Sequence, residues 1–250
     1  MAGHSKWAQI KRKKAKVDAQ RGKIFTRLSR EIMVAARQGG GDPEANPRLK
    51  TAIQRAREAN IPFENIQRAI QKATGEIGGG GYEEVTYEGY GPGGVALLIK
   101  VTTDNRNRTA AEVRHILNKY GGSLGEAGCV AWLFQPKGLI LVEKDGLTEE
   151  ELLLSALESG AEDLREVDDG FEITTAPEEL ARVKAGLEVQ GLRVAEAELT
   201  FVPQTSVTVT GEEGLRVLRL VQHLEELDDV ETVYANFDIP TEIMEQVTRE

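Results

Sequence analysis

The residues in this chain best suited to chemistry are cations. Between Gly3 and Arg30 stand Lys6, Lys11, Arg12, Lys13, Lys14, Lys16, Arg21, Lys23, Arg27 and Arg30, ten bases against one acid, Asp18. Lysine and arginine at that density suit a phosphate polymer, because they release its counterions and gain affinity whatever its sequence. Charge runs are usually solvated faces, but ten to one is far from an average helix surface. Trp7 is an odd residue for a solvating tail. It could stack on an unpaired base, or dock the arm on the helical segment that follows.

A second group lies at Asp104-Asn105-Arg106-Asn107-Arg108-Thr109, between an apolar run and a helix start. Asn107 and Thr109 read as caps for free helix N–H groups, and Arg106 and Arg108 as a further phosphate contact in an otherwise acidic body. With Arg48 and Arg55 from the intervening helices, the expected nucleic-acid-binding set is Lys6, Trp7, Lys11, Arg12, Lys13, Lys14, Lys16, Arg21, Lys23, Arg27, Arg48, Arg55, Arg106 and Arg108. Other constellations fail on spacing. His4, His115 and His223 are scattered and Cys129 is the lone cysteine, so no zinc site is expected. Gly22-Lys23 lacks the spacing and preceding strand of a phosphate loop, and Gly89 to Gly94 reads as a hairpin turn. Asp168-Asp169 and Asp228-Asp229 fall in turns, where aspartate is favoured anyway. The expectation is a non-enzyme with no cofactor, no metal and no small-molecule substrate.

The whole chain of 250 residues has a formal charge of -10. Residues 1–75 hold 17 basic and 6 acidic side chains, a net of +11, leaving 14 basic and 35 acidic side chains, a net of -21, for the rest. Such a split argues for a cationic binding module on an acidic body that would itself repel a polyanion. No apolar run approaches the roughly 18 residues of a membrane span, and no apolar signal core follows the basic start, so a cytoplasmic location is expected.

The elements that must position these residues follow from periodicity. Ile24, Leu28, Ile32 and Ala35 mark one helix face, ended by Gly39-Gly40-Gly41. Asn46-Pro47 caps a second helix with Leu49, Ala52, Ile53 and Ala56 inward, and Asn60-Ile61-Pro62 separates it from a third with Ile66, Ala69 and Ile70 inward. Gly78-Gly79-Gly80-Gly81 reads as a joint. Beyond it come a strand at Val85 to Tyr90, a buried strand from Val95 to Ile99, a helix opened by a Thr109 to Glu112 capping box, and a strand from Cys129 to Phe134. From Gly138 to Val202 the order is β-α-β-β-α-β, with Leu152, Leu153, Ala156 and Leu157 inward on its first helix. Strand Ser206 to Val209, a helix through Leu215, Leu218 and Val221, and strand Thr232 to Phe237 supply the missing half of the interrupted unit. The expected fold is α+β in three domains: a basic helical domain (1–77), a discontinuous ferredoxin-like α/β domain (82–135 plus 204–240), and a ferredoxin-like α/β domain inserted in it (136–203).

Gly3-His4-Ser5-Lys6-Trp7, Arg21-Gly22-Lys23-Ile24-Phe25-Thr26, Asn46-Pro47-Arg48-Leu49, Tyr87 to Gly94 and Thr103 to Thr109 closely resemble the YebC/PmpR family. A mitochondrial relative is the translational activator of cytochrome c oxidase subunit I. The match runs through essentially the whole chain. Asn60-Ile61-Pro62-Phe63 departs from it, since the family pattern has methionine and lysine at the second and fourth positions, and the missing lysine weakens a phosphate role for this turn. The resemblance implies three domains and a cytoplasmic, DNA-binding transcriptional regulator, while other members resemble ribosome-associated translation factors that relieve stalling on proline-rich stretches. It carries over no catalytic residues.

Two partners therefore stand open, DNA or ribosomal RNA and the ribosome, with no membrane partner. Phosphate contacts supply affinity to either and carry no sequence information. The helical domain has no clear helix-turn-helix signature and the chain no evident dimerisation segment, features that lean toward RNA because DNA regulators usually pair two half-sites; a monomer is expected. The reading adopted is a nucleic-acid-binding regulator of gene expression, labelled transcriptional, with the ribosomal factor as its alternative.

Overall fold

The computed structural model describes residues 6, 7, 10, 19–75, 81–144, 146, 148–167 and 170–249. Three helices make the first domain: α1 (Ala19–Gly39), α2 (Pro47–Glu58) and α3 (Phe63–Ala73). Leu28, Ile32 and Ala35 meet Leu49, Ala52, Ile53 and Ala56 and then Ile66 and Ala69 in one core. Ile24 stays outside, 37% exposed, and Phe25 packs in its stead. Asn46 ties the domain together. Its Oδ1 accepts the Leu49 N–H at 3.1 Å as the cap of α2, and its Nδ2 donates to the Ala35 and Gly40 carbonyls at 2.9 Å, closing off α1.

The chain then makes the antiparallel hairpin β1 (Glu83–Tyr90) and β2 (Ala96–Thr103), in register from Glu83 with Thr103 to Tyr90 with Ala96. The expected joint at Gly78 to Gly81 lies, except for Gly81, outside the described residues. Helix α4 (Arg106–Lys119) opens four residues earlier than the capping box suggests. Its cap is Asn105, whose Oδ1 accepts the Arg108 N–H at 3.1 Å, and Thr109 is buried inside the first turn instead of capping it.

The strand expected from Cys129 to Phe134 does not form. Two residues, β3 (Ser123–Leu124), pair with the outer edge of β1, while Ala131–Leu133 is a 3-10 turn. The reason is Glu88. Its carboxylate accepts the N–H groups of Gly128 at 2.6 Å and of Val130 and Ala131 at 2.8 Å, donors that a ladder would otherwise use. Burial pushes this carboxyl up, but the three N–H groups and the charge of Lys100 outweigh it and hold the group below the usual carboxylate range.

The inserted domain runs β4 (Phe134–Glu143), α5 (Glu149–Ser159), β5 (Asp163–Val167), β6 (Gly170–Thr175), α6 (Leu180–Val189) and β7 (Val194–Pro203). Its antiparallel sheet has the order β5-β6-β4-β7, the split β-α-β arrangement of a ferredoxin-like fold. Ile140, Val142, Phe171 and Ile173 of the sheet face Leu152, Ala156, Val183 and Leu187 of the helices. The inward stripe of α5 is narrower than its leucine content suggests. Leu153 and Leu157, one i,i+4 row over from Leu152 and Ala156, are 41% and 53% exposed.

The return segment adds β8 (Val207–Thr208), α7 (Gly211–Glu226), β9 (Val230–Ala235), β10 (Phe237–Asp238) and α8 (Thr241–Arg249). Strand β9 joins β2, giving the antiparallel order β3-β1-β2-β9, whereas β8 pairs in parallel with β10 outside that sheet. Leu97, Ile99 and Val101 of β2 and Val233 and Ala235 of β9 pack with Val113 and Leu117 of α4, Val217 and Val221 of α7, and Met244 of α8. Helix α8 lies beyond the last element that the periodicity predicts, the strand ending at Phe237. The protein is thus α+β, a helical domain and two α/β domains with one inserted in the other. Trp132–Thr205 packs as one compact unit, and the helical and discontinuous domains pack together as another.

Candidate nucleic-acid interface

The first surprise is Trp7. It is 1% exposed and belongs to the core of the discontinuous α/β domain, with Ile10 packed against the same core. Both expected roles are corrected by this placement. A ring enclosed by strand and helix residues has no face to offer a base, and the core that encloses it is not that of the helical domain. Burying an indole there is worth several kcal/mol of packing, roughly 25 cal/mol per Å², so Trp7 ties its segment to this core.

Lys11, Arg12, Lys13, Lys14 and Lys16 lie outside the described residues. Arg21 and Lys23 fall on the backbone of α1, and Lys6 is half-buried. For the arginines whose side chains are described, the structure brings each to an acceptor in its own chain. Arg27 donates to the Glu231 carbonyl at 3.1 Å. Arg48 donates to Gln38 Oε1 at 2.6 Å and pairs with Glu84. Arg55 pairs with Glu31 at 3.1 Å and Arg106 with Glu83 at 2.6 Å. Arg108 bridges Asp104 at 2.9 Å and Asp229 at 2.7 Å. The expected site residues are therefore not gathered into one open cationic surface.

Asp229, which reads in sequence as an ordinary turn aspartate, is the hub of this pairing. It is 3% exposed, and its Oδ2 accepts from Thr109 Oγ1 at 2.7 Å, Arg108 Nη2 at 2.7 Å and Thr103 Oγ1 at 3.1 Å. Its Oδ1 meets Arg30 Nη1 at 3.1 Å, and Arg30 also bonds the Asp228 carbonyl and lies 5.2 Å over the Tyr82 ring. Burial alone would raise the carboxyl; the hydroxyl and guanidinium donors and the Arg30 charge outweigh it, and the group sits below the usual range. Arg30 thereby clamps α1 of the helical domain to the loop before β9. Nearby Glu231 goes the other way, raised by burial first and then by the charges of Glu84 and Glu31, although the Thr102 hydroxyl donates to it. The sequence held one hint of this: two acids directly before an apolar strand in a chain whose first helix is arginine-rich. A pairing across 198 positions leaves no periodic trace.

One side of the helical domain is different. In α3 the apolar Ile66, Ala69, Ile70 and Ala73 turn inward, so Phe63, Gln67 and Gln71 form one outward i,i+4 row and Glu64, Arg68 and Lys72 the next. Arg68 and Lys72, and Arg57 at the end of α2, are exposed and have no ion-pair partner among the described residues. Phe63 is 57% exposed. The turn that presents it is rigid: Asn60 sits at φ 59°, Ile61 is buried with its N–H on the Ala56 carbonyl at 2.9 Å, and Pro62 precedes the first helical residue.

No group of three or more histidine, cysteine, aspartate or glutamate side chains among the described residues could hold a metal ion. The Cys129 thiol is pushed up by burial and by the Glu88 charge, the opposite of an activated nucleophile. No helix among the described residues is long and apolar enough to cross a membrane.

Comparison with known proteins matches this three-domain layout end to end. Residues 5–76 match the family model for the TACO1/YebC protein N-terminal domain, and residues 82–237 the model for the TACO1/YebC second and third domain. A "Probable transcriptional regulatory protein" of Pelotomaculum thermopropionicum is 64% identical over 241 residues, 96% of this chain and 99% of that one. One of the same name from Dictyoglomus turgidum is 56% identical over 249 residues, 99% and 100% of the two chains. The crystal structure of a conserved hypothetical protein from Aquifex aeolicus superposes with a TM-score of 0.79 at 54% identity, over 90% of this chain and 93% of that one. The chain belongs to the TACO1/YebC family.

Proposed function

We propose that this protein is a non-enzymatic, nucleic-acid-binding regulator of gene expression that acts in the cytoplasm as a monomer. The observation that carries the reading is the separation of charge: +11 over residues 1–75 against -21 over the rest. A polyanion is drawn to one end of such a molecule and repelled by the other. The relatives' names point to transcription, and DNA is the first partner to test. A second reading, an RNA-binding factor acting at the ribosome, is favoured by the exposed Phe63, since duplex DNA offers an aromatic side chain no unpaired base.

Replacing Lys11, Arg12, Lys13 and Lys14 by alanine should weaken duplex binding and flatten its salt dependence by up to roughly 0.9 in log–log slope per lost phosphate contact. An unchanged slope would remove the arm from the interface. Sedimentation with ribosomes after nuclease has removed DNA separates the two partners. Absence from the ribosomal fraction at low salt would count against the second reading.

A further inference from the structure

We infer that the outward face of α3, with Phe63, Gln67, Arg68, Gln71 and Lys72, is a binding site for an unpaired segment of RNA. The inference rests on the nucleic-acid reading above and adds to it a location and a strandedness. Every described arginine expected in the interface already has an acceptor in its own chain, whereas Arg68 and Lys72 have none among the described residues. Those two cations lie one helical turn apart on one row, so both can meet the same phosphate backbone. The single acid on the face, Glu64, is in the first turn, where the helix dipole favours it and where it directs phosphates toward the other end.

Phe63 decides what kind of strand fits. A phenyl ring 57% exposed at the start of a helix is presented at a defined point of the backbone, since buried Ile61, left-handed Asn60 and Pro62 shape the turn before it. An exposed ring at the start of the helix, with two unneutralised cations further along it on the next row, offers the two elements used for single strands: the ring takes a base, the cations take the backbone. The amides of Gln67 and Gln71 on the ring's own row can hydrogen-bond base edges or a ribose hydroxyl. In a duplex the base faces are occupied by their neighbours, while RNA loops and bulges hold bases splayed out for an aromatic side chain.

The test is equilibrium binding of the full-length protein to four fluorescent probes: single-stranded RNA, an RNA hairpin, single-stranded DNA of the same sequence, and duplex DNA. Arg68→Ala with Lys72→Ala should lower the log–log salt slope on single-stranded RNA by about 1.4, from roughly 0.7 per contact. Phe63→Ala should weaken that binding about tenfold, leave the salt slope unchanged and spare duplex DNA, and Phe63→Trp should restore it. Thermal melts confirm that these surface variants fold. The inference is overturned if Phe63→Ala affects duplex DNA as much as RNA, or if the Arg68/Lys72 slope is unchanged while the Lys11 to Lys14 variant's falls. In that second case the nucleic-acid reading survives and only this site is lost. Equal losses on single-stranded DNA and RNA would overturn the choice of RNA, and no binding of the wild-type protein to any probe would overturn the function itself.

Discussion

Two sets of cations on the same small helical domain have opposite fates. Arg27, Arg30, Arg48 and Arg55 are bound to Glu231, Asp228, Asp229, Glu84 and Glu31, so their charge is spent on holding α1 and α2 to their surroundings. Arg57, Arg68 and Lys72 face outward with no ion-pair partner among the described residues. Composition counts the two sets alike, and only the second is available to a ligand without first breaking a bond. Positive charge in a sequence is therefore an upper limit on the charge a surface can present.

The sharpest way to break this comparison is to remove the hub of the first set. Asp229→Ala strands Arg30, Arg108, Thr103 and Thr109 together, and should cost about 3 kcal/mol or more, as expected for deleting one partner of a buried pair. Asp229→Asn should cost less, since an amide oxygen still accepts. Urea denaturation of the two variants reads both numbers. Arg68→Ala, by contrast, should stay within roughly 0.5 kcal/mol of wild type. A large loss there would mean that the outward face carries structure after all.

Acid is the next lever. The folded-state carboxyls of Asp229 and Glu88 are depressed below their unfolded values, so the stability they contribute is fully present above the unfolded pKa and is lost as pH falls through the folded one. Melting temperature measured from pH 7 downward should therefore fall through the carboxylate range in wild type, and less steeply in Asp229→Asn. An equal slope in the variant would show that Asp229 is not the group being titrated.

How much of this was legible in the residues depends on range. Asn46-Pro47, the inward stripes of α2 and α3, and the β-α-β-β-α-β order of the insert are local patterns, and each appears where its spacing places it. What the sequence concealed is long-range. Glu88 looks like a strand residue of no consequence until its carboxylate takes three N–H groups from the segment 40 positions on and prevents a strand there. Trp7 reads equally as a ring for an unpaired base and as an anchor of the arm on the helical segment, until the core of another domain closes over it. Asp229 reads as an ordinary turn residue because turns favour aspartate, a local reason that cannot see Arg30. The charge asymmetry was legible in full; which cations remain free was not, because neutralisation is decided by tertiary neighbours.

A gain-of-binding variant sharpens the comparison from the other side. Glu84→Ala removes the carboxylate that pairs with Arg48 and so moves one arginine from the tied set toward the free one. Since the pair is solvent-exposed, stability should change by less than about 1 kcal/mol. The salt slope of nucleic-acid binding should steepen by up to roughly 0.7 to 0.9, one phosphate contact, with a modest rise in affinity at low salt. If the slope stays put, Arg48 lies off the path of the bound strand, and the outward face of α3 is the more isolated for it.

The smallest expected effect belongs to Glu231. Its carboxyl is raised in the folded state, so the sign is reversed: the stability linked to it is fully present below the unfolded pKa and is lost as pH rises through the folded one. Burial and the charges of Glu84 and Glu31 disfavour the ionised form of this group. Glu231→Gln keeps an oxygen for the Thr102 hydroxyl and leaves untouched the backbone carbonyl that Arg27 uses. It should therefore be neutral to stabilising at pH 7, and the advantage should shrink toward acid pH, where wild type is protonated as well. A variant that is destabilised at pH 7 would mean that the charge of Arg27 outweighs the two neighbouring acids, and that even this buried carboxylate serves to keep an arginine tied.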